Sequence, residues 1–447
     1  MNAPLAVGRR EVRLGLRENA AQFSLLVLIN AFVGLMVGLE RAVLPLIGEQ
    51  NFHLTSDIAV LTYLVAFGFA KAFTNLAAGA LAARLGRRRL LIAGWAAALP
   101  VPLLIQVAPS WAWVVAANVF LGINQGLAWS MTVVMKIDLV GPRRRGLALG
   151  LNEAAGYGGV ALAAGLSGLL ASQFAPRDVV VIAGGAIAVT ALLLSVLFVR
   201  DTAAHVALEQ RQHPAADDKP PSLREVFARA SFRVPALRSC SQAGLVNNLN
   251  DALAWGLVPL FLAAHGASVA QVGLVAAVYP AVWASTQIAT GAWSDKIGRK
   301  PLIVAGMLLQ GVALGVLALS GGNVAIATIT AVFIGLGTAL VYPTLIAAMS
   351  DAVTPVERAP VVGVYRFWRD SGYAFGGLIA GAVADALGYG GAIAIVAGLT
   401  AASGLWVLAD MPSEPRARLA TPQPASTSSK AQAARELARD MTASPKP

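Results

Sequence analysis

Charge is scarce in this chain. Asp, Glu, Lys and Arg make up 13% of its 447 residues, about half the share found in soluble domains. Cysteine occurs once, at Cys240, which excludes a disulfide-stapled secreted scaffold. The four histidines, His53, His205, His213 and His265, form no His-Glu-x-x-His zinc pattern, and the chain has no phosphate-cradling P-loop, so ATP-driven pumping has no support. Apolar residues are abundant instead, at 57%, with a mean hydropathy of +0.67. A soluble protein of this length could not bury so much apolar surface. The chain reads as an integral membrane protein, and its 44 glycines suit closely packed membrane helices.

A spanning helix needs about 20 apolar residues. On that ruler twelve spans emerge, at 23–49, 57–81, 90–107, 111–137, 146–172, 179–199, 236–264, 270–294, 302–319, 324–349, 359–387 and 391–408. The first contains Glu40 and Arg41 and is too long for a cleaved signal peptide. Of the 34 basic residues, 28 fall in the termini and loops of one side, and the opposite loops hold one, Arg177. By the excess of Lys and Arg in cytoplasmic loops, that basic side is cytoplasmic and both termini lie inside. The net charge of +11 is therefore a topology signal, and nucleic acid is not an expected partner.

The spans divide into a cytoplasmic segment (1–22), a six-helix half (23–199), a polar central loop (200–235), a second half (236–410) and a Pro/Ser/Ala/Lys tail (411–447) expected to be disordered apart from a turn or two at 431–441. Within the central loop, 223–232 is expected to form a short helix on the inner membrane surface. The halves repeat one another. Gly79-Ala-Leu-Ala-Ala83-Arg84-Leu-Gly86-Arg87-Arg88 returns as Gly291-Ala-Trp-Ser-Asp295-Lys296-Ile-Gly298-Arg299-Lys300, 212 residues on. Asp138-x-x-x-Pro142-x-x-Arg145 returns as Asp351-x-x-x-Pro355-x-x-Arg358, 213 on, and Val43-Leu-Pro45 as Leu257-Val-Pro259, 214 on. Six spans return the chain to the same side, so the repeats are parallel.

The twice-present Gly-x-x-x-Asp-Arg-x-Gly-Arg-Arg/Lys loop, set in twelve spans with a long central loop, resembles that of the major facilitator superfamily. The resemblance covers 23–410. It implies an all-α fold of two pseudo-symmetric six-helix bundles that rock about a central cavity. By that resemblance Gly79, Arg84, Gly86, Arg87, Asp138 and Arg145, with Gly291, Asp295, Gly298, Arg299, Lys300, Asp351 and Arg358, are expected at the inner gate. Asp295 is placed to cap a helix amino end across the seam. The first copy departs from the pattern, with Ala83 where the acid should be. Span five, Gly150 to Gly159, partly resembles an antiporter motif, but Ala154 and Ala155 replace its Gly and Pro. In span four Asn118 stands where antiporters of the family carry a basic residue.

Eight charges lie well inside the spans: Glu40, Arg41, Lys71, Glu153, Asp251, Arg366, Arg369 and Asp370. Unpaired, they would cost roughly 20–28 kcal/mol, so they must pair or face a wet cavity. Glu153, Asp251 and Glu40 are the candidates for proton coupling. Arg41, Lys71, Arg366, Arg369 and Asp370 are candidates for a substrate site, with Asn124, Gln125, Tyr157, Asn247, Asn248 and Tyr365 as uncharged contacts. Permanent structural pairing competes with both roles. Asp370 is one turn from Arg366 and placed to neutralise it, and Lys136 is expected to pair with Asp138.

Gly165-Leu166-Ser167-Gly168 matches an intramembrane protease pattern, but every histidine lies at a membrane edge or in a loop, leaving the serine without a base. No enzyme activity and no cofactor are expected. The reading is a monomeric secondary transporter of a bacterial inner membrane, taking a small-molecule substrate and protons, with lipid as its surroundings. Proton-coupled export of a drug or metabolite is set slightly ahead of organic-anion uptake or exchange, and a non-transporting receptor or scaffold is the rival of another class. Asp295→Ala should impair transport more than Ala83→Asp alters it; equal effects on flux in liposomes would remove the asymmetry between the two loops.

Overall fold

The computed structural model describes residues 12–53, 57–171, 173–212 and 222–413. The expected turn at 431–441 lies outside these residues. The spans run Ala20–Phe52, Asp57–Leu85, Arg87–Gln106, Trp111–Val140, Arg145–Ala171, Pro176–Leu197, Pro235–Ala264, Val269–Ile297, Arg299–Ala318, Val324–Asp351, 358–387 and 389–410. No strand occurs among the described residues. The third span is broken before Pro100, whose ring removes a backbone donor. The last two spans meet at Gly388, where φ is +73°. Gly86 and Gly298, at φ +83° and +104°, make the corresponding turns between spans two and three and spans eight and nine. A residue with a Cβ would be strained there, which is why both repeat loops carry glycine.

Nine helices among the described residues are long and apolar enough to cross a membrane by composition. Spans five, seven and eleven are the exceptions, and these carry Glu153; Asn247, Asn248, Asn250 and Asp251; and Arg366, Arg369 and Asp370. Their polar groups are buried, so these helices are held by protein neighbours rather than lipid.

The halves meet along two equivalent seams, span two against span eleven and span five against span eight. Small residues make both possible. Gly79 packs on Ala359 and Gly363, and Gly291 packs on Gly146 and Gly150, so the glycine pairs obey the repeat offset. A methyl group at Gly291 would sit 2.3 Å from the Gly146 carbonyl oxygen, and one at Gly146 2.2 Å from that of Gly291. Backbone on both sides leaves nothing to move aside.

The central loop does more than tether the halves. Its first part forms a helix that the sequence reading left as polar linker, Ala203–Gln212. Its second part is a helix over Leu223–Ala228 that widens into π turns over Arg229–Arg233. That second helix packs Phe227 on Phe367 and Trp368 of span eleven, and Arg229 pairs with Glu357.

Gly291→Ala is expected to hold the seam apart at the basic face. An overpacking penalty of a few kcal/mol corresponds to about tenfold or more faster amide exchange at 145–150. Unchanged exchange there would mean that the glycine contact is dispensable.

Candidate functional site

At the basic face, eight charges alternate in one continuous chain. Asp295 pairs with Arg299 at 2.9 Å, Arg299 with Asp351 at 2.9 Å, and Asp351 with Arg145 at 2.8 Å. Arg145 pairs with Glu209 at 2.5 Å, Glu209 with Arg358 at 2.8 Å, Arg358 with Asp138 at 2.9 Å, and Asp138 with Arg87 at 3.4 Å. Four acids balance four arginines. The repeat maps Arg87 onto Arg299, Asp138 onto Asp351 and Arg145 onto Arg358. Each arginine at the start of span five or eleven pairs with the aspartate of the opposite half. Glu209 comes from the linker helix, has no repeat counterpart, and joins the two symmetric arms.

Asp295 also accepts from the backbone N–H groups of Gly146 and Leu147, at 3.0 Å each. A carboxylate there meets unsatisfied donors and the positive end of the span-five helix. Ala83 presents no such group to the start of span eleven. Gly86 and Gly298 set the turns that bring Arg87 and Arg299 inward, where both are buried; Arg84 is exposed. Outside the membrane, burial holds the His205 imidazole below its ordinary pKa, with Asp138 opposing. It touches the Asn19 side-chain oxygen at 3.1 Å.

Midway through the spans lies a second cluster, astride the same seams. Asn75 of span two donates to Asp370 of span eleven at 2.5 Å and accepts from Ser130 at 2.6 Å. Asp370 accepts twice from Arg369, at 2.8 and 2.5 Å. The Arg369 guanidinium lies over the Tyr342 ring, 5.1 Å from its centroid, and the Tyr342 hydroxyl meets that of Tyr157 at 2.8 Å. Glu153 accepts from Trp129 at 3.2 Å and Asn152 at 2.8 Å. Its other neighbour is Arg366 of the opposite half, 3.7 Å away. Arg366 is fully buried, and none of its three guanidinium nitrogens has a hydrogen-bond partner among the described residues. One Arg369 nitrogen, Nη1, is likewise unpartnered. Lys71 sits between the rings of Phe67 and Trp129, at 5.5 and 5.4 Å.

Two expected pairings are corrected. Lys136 donates to the Leu26 carbonyl at 3.1 Å and to Asn152 at 2.5 Å, not to Asp138. Residues two apart on a helix point in different directions, so Asp138 turns instead to Arg87, Arg358 and Thr202. Asp370 pairs with Arg369, not Arg366, because the long Arg369 side chain folds back onto its neighbour. The remaining candidates divide. Asn124 and Gln125 donate to the Gly94 and Val33 carbonyls and serve packing inside the first half. Asp251 accepts from Tyr279, and Asn247 from Gln310 at 3.1 Å, in a polar network within the second half. Asn248 is buried with its side-chain oxygen unpartnered, and Tyr365 packs on Gly244 with its hydroxyl unpartnered, among the described residues. Glu40 is buried beside Asn118 with neither oxygen hydrogen-bonded there, and Arg41 lies beside Tyr373.

Glu209, Asn75, Trp129, Asn152, Trp283, Tyr279 and Tyr342 are absent from the sequence-level candidates. Charge counting does not single out Glu209, because the sequence sets Arg84, Arg87, Arg145, Arg299, Arg358 and Lys300 against three aspartates at these loops; only the fold selects the arginines it joins.

A fold of two parallel six-helix repeats with charged loops between spans two and three and eight and nine is that of a membrane transporter. The family model of the Major Facilitator Superfamily matches residues 26–247 and 240–443, and the chain belongs to that family. An uncharacterized MFS-type transporter of Salmonella typhimurium is 25% identical over 377 residues, covering 79% of this chain and 87% of its own. Among solved structures, the human organic anion transporter MFSD10 aligns with a TM-score of 0.68 at 18% identity, over 87% of this chain and 99% of its own. The proton:xylose symporter XylE aligns with a TM-score of 0.70 at 14% identity, over 88% and 97%. The E. coli fucose:proton symporter FucP aligns with 0.68 at 14%, over 87% and 98%. At these identities the solved structures establish the fold and nothing finer.

Removing Glu209 leaves Arg145 and Arg358 with one carboxylate each and the buried chain one negative charge short. Glu209→Ala should weaken closure of the basic face by about 3–5 kcal/mol, seen as faster amide exchange at both 145–150 and 358–363. A change confined to one of these helix starts would show that Glu209 does not link the arms.

Proposed function

We propose that the chain is a secondary transporter that carries a small organic anion by alternating access, in a bacterial inner membrane with both termini in the cytoplasm. The observation that carries this reading is Arg366. A fully buried guanidinium with its nearest carboxylate at 3.7 Å and no hydrogen bond among the described residues is a costly arrangement. An anionic solute would supply the missing acceptors. Arg369 offers Nη1 to the same solute while its other nitrogens hold Asp370. A planar guanidinium suits carboxylate, sulfonate or phosphate oxygens, which it engages two at a time.

The gate charges would close the cytoplasmic side in the form described. In the cycle, solute enters from the opposite side and neutralises Arg366. The halves then part at the basic face, which separates Arg366 from Glu153 and Asp370 from Asn75. Glu153 and Asp251 supply proton coupling: each is a buried carboxylate near the solute cations, and each exchanges a proton when its surroundings change between states.

Proton-coupled export of a drug or metabolite is the second reading. Glu153 favours it, because its Oε2 has no hydrogen-bond partner among the described residues and would take a cationic solute. Thermal stabilisation of the purified protein separates the two. A ligand at a hundred times its Kd adds about 2.7 kcal/mol of stability. Organic anions should stabilise, and Arg366→Gln should weaken them about tenfold or more while leaving neutral solutes unchanged. Stabilisation by lipophilic cations instead, lost in Glu153→Gln, would select export. Glu153→Gln and Asp251→Asn should each flatten the pH dependence of flux in a folded protein; unchanged profiles in both would place coupling elsewhere.

A further inference from the structure

We infer that the solute is an aromatic organic anion bearing a single negative charge. This rests on the anion reading above and narrows it. Two observations carry it: an aromatic ladder across the seam, and the charge balance around it.

The ladder starts in the first half with Trp129, 5.3 Å from Tyr157 by ring centroids. Tyr157 meets Trp283 of the second half at 3.9 Å, and Trp283 meets Tyr342 at 5.0 Å and Tyr279 at 5.9 Å, the last pair stacked. The polar end of most of these rings is anchored. Trp129 donates to Glu153, the Tyr157 and Tyr342 hydroxyls bond to each other, and Tyr279 donates to Asp251. Anchored ends fix the ring planes, so their faces are oriented before a solute arrives. The cations are interleaved with them: Lys71 over Trp129, Arg369 over Tyr342, and Arg366 beside Glu153 at the foot of Trp129. The Trp283 indole N–H has no partner among the described residues and offers a donor to a second polar atom of the solute. A solute whose charge reaches Arg366 must lay its body against these rings. An aliphatic body gains contact area there, and an aromatic one gains ring–ring and ring–cation attraction as well.

The charge balance sets the valence. Setting aside the gate chain and the groups at the span ends, the spans hold five bases, Arg41, Lys71, Lys136, Arg366 and Arg369, and four acids, Glu40, Glu153, Asp251 and Asp370. Five less four leaves +1 in the state where Glu153 and Asp251 have released their protons, and it is in that state that the solute's charge is matched. Sequence inspection counted eight charges and a balance of zero, because Lys136 was assigned to the gate. Its position against Asn152, which also holds Glu153, returns it to the central set. A monoanion cancels the excess. A dianion would invert it in a low-dielectric site, at a cost that an extra ion cannot recover.

The test uses size-matched probes on the full-length protein in detergent: 2-naphthoate, its fully saturated counterpart, naphthalene-2,6-dicarboxylate and 2-naphthamide. Affinity is read by thermal stabilisation and by quenching of tryptophan fluorescence. The naphthoate should bind about tenfold tighter than the saturated acid, bind tighter than the dicarboxylate and the amide, and quench tryptophan emission. Trp283→Leu should remove the preference over the saturated acid while both acids still bind; Tyr157→Leu serves the same purpose if that variant fails to fold. Equal affinity for naphthoate and the saturated acid would overturn the aromatic inference and leave the anion reading standing. Tighter binding of the dicarboxylate would overturn the single charge alone. Binding of the amide but of no acid, or of none of the probes, would overturn the inference together with the reading beneath it.

Discussion

The alternation of charge at the basic face governs the rest of the architecture. A lone ion in that position would cost several kcal/mol in desolvation. In the chain from Asp295 to Arg87 every interior ion has an opposite charge on each side, so no charge is left unbalanced. Its cross-half links, Asp351 to Arg145, Arg145 through Glu209 to Arg358, and Arg358 to Asp138, lie at the starts of spans five and eleven. Under the proposed cycle, separating those helix starts would break the links together, because each break leaves its neighbours unbalanced. Closure also brings Gly146 onto Gly291 and Gly79 onto Ala359, so the ion chain and the glycine seams are one device.

The same closure assembles the central cluster. Asn75 reaches Asp370, Tyr157 reaches Tyr342, and Arg366 approaches Glu153 across the boundary between the halves, where spans two and eleven, and five and eight, are in contact. On the proposed reading, binding at the cluster and closure of the basic face are linked through rigid helices, and a solute that satisfies Arg366 would shift the free energy of closure.

The arrangement repeats between the halves, and two departures make it asymmetric. Asp295 caps span five, whereas Ala83 leaves span eleven uncapped by its partner loop. Glu209 enters from a linker that exists once in the chain, so the pseudo-symmetric halves share a single neutralising carboxylate. The basic residues at the centre are likewise unevenly shared, with Arg366 and Arg369 on span eleven where the same offset places Glu153 and Gly156 on span five.

Twelve spans, their repeat, the turn glycines and seven of the eight charges that pair at the basic face were legible from residue order, because hydropathy, helix rise and loop chemistry are local properties. Burial of charge within spans one, two, five, seven and eleven was legible for the same reason. Partners were not. Lys136 and Asp138 are neighbours in sequence, yet the helix turns them apart, and Asp370 answers to Arg369 and Asn75 although Arg366 stands one turn away. Asn124 and Gln125 read as cavity residues, and helix rotation directs them to the Gly94 and Val33 carbonyls. Glu209 lies in a stretch that reads as linker, and only the folding of that stretch against both halves makes it the central link. Sequence by itself determined which segments span, how many, and which charges they must carry into the membrane. Tertiary structure decided which charges meet, because pairing depends on the rotation of each helix about its axis and on contacts between residues as far as 220 positions apart.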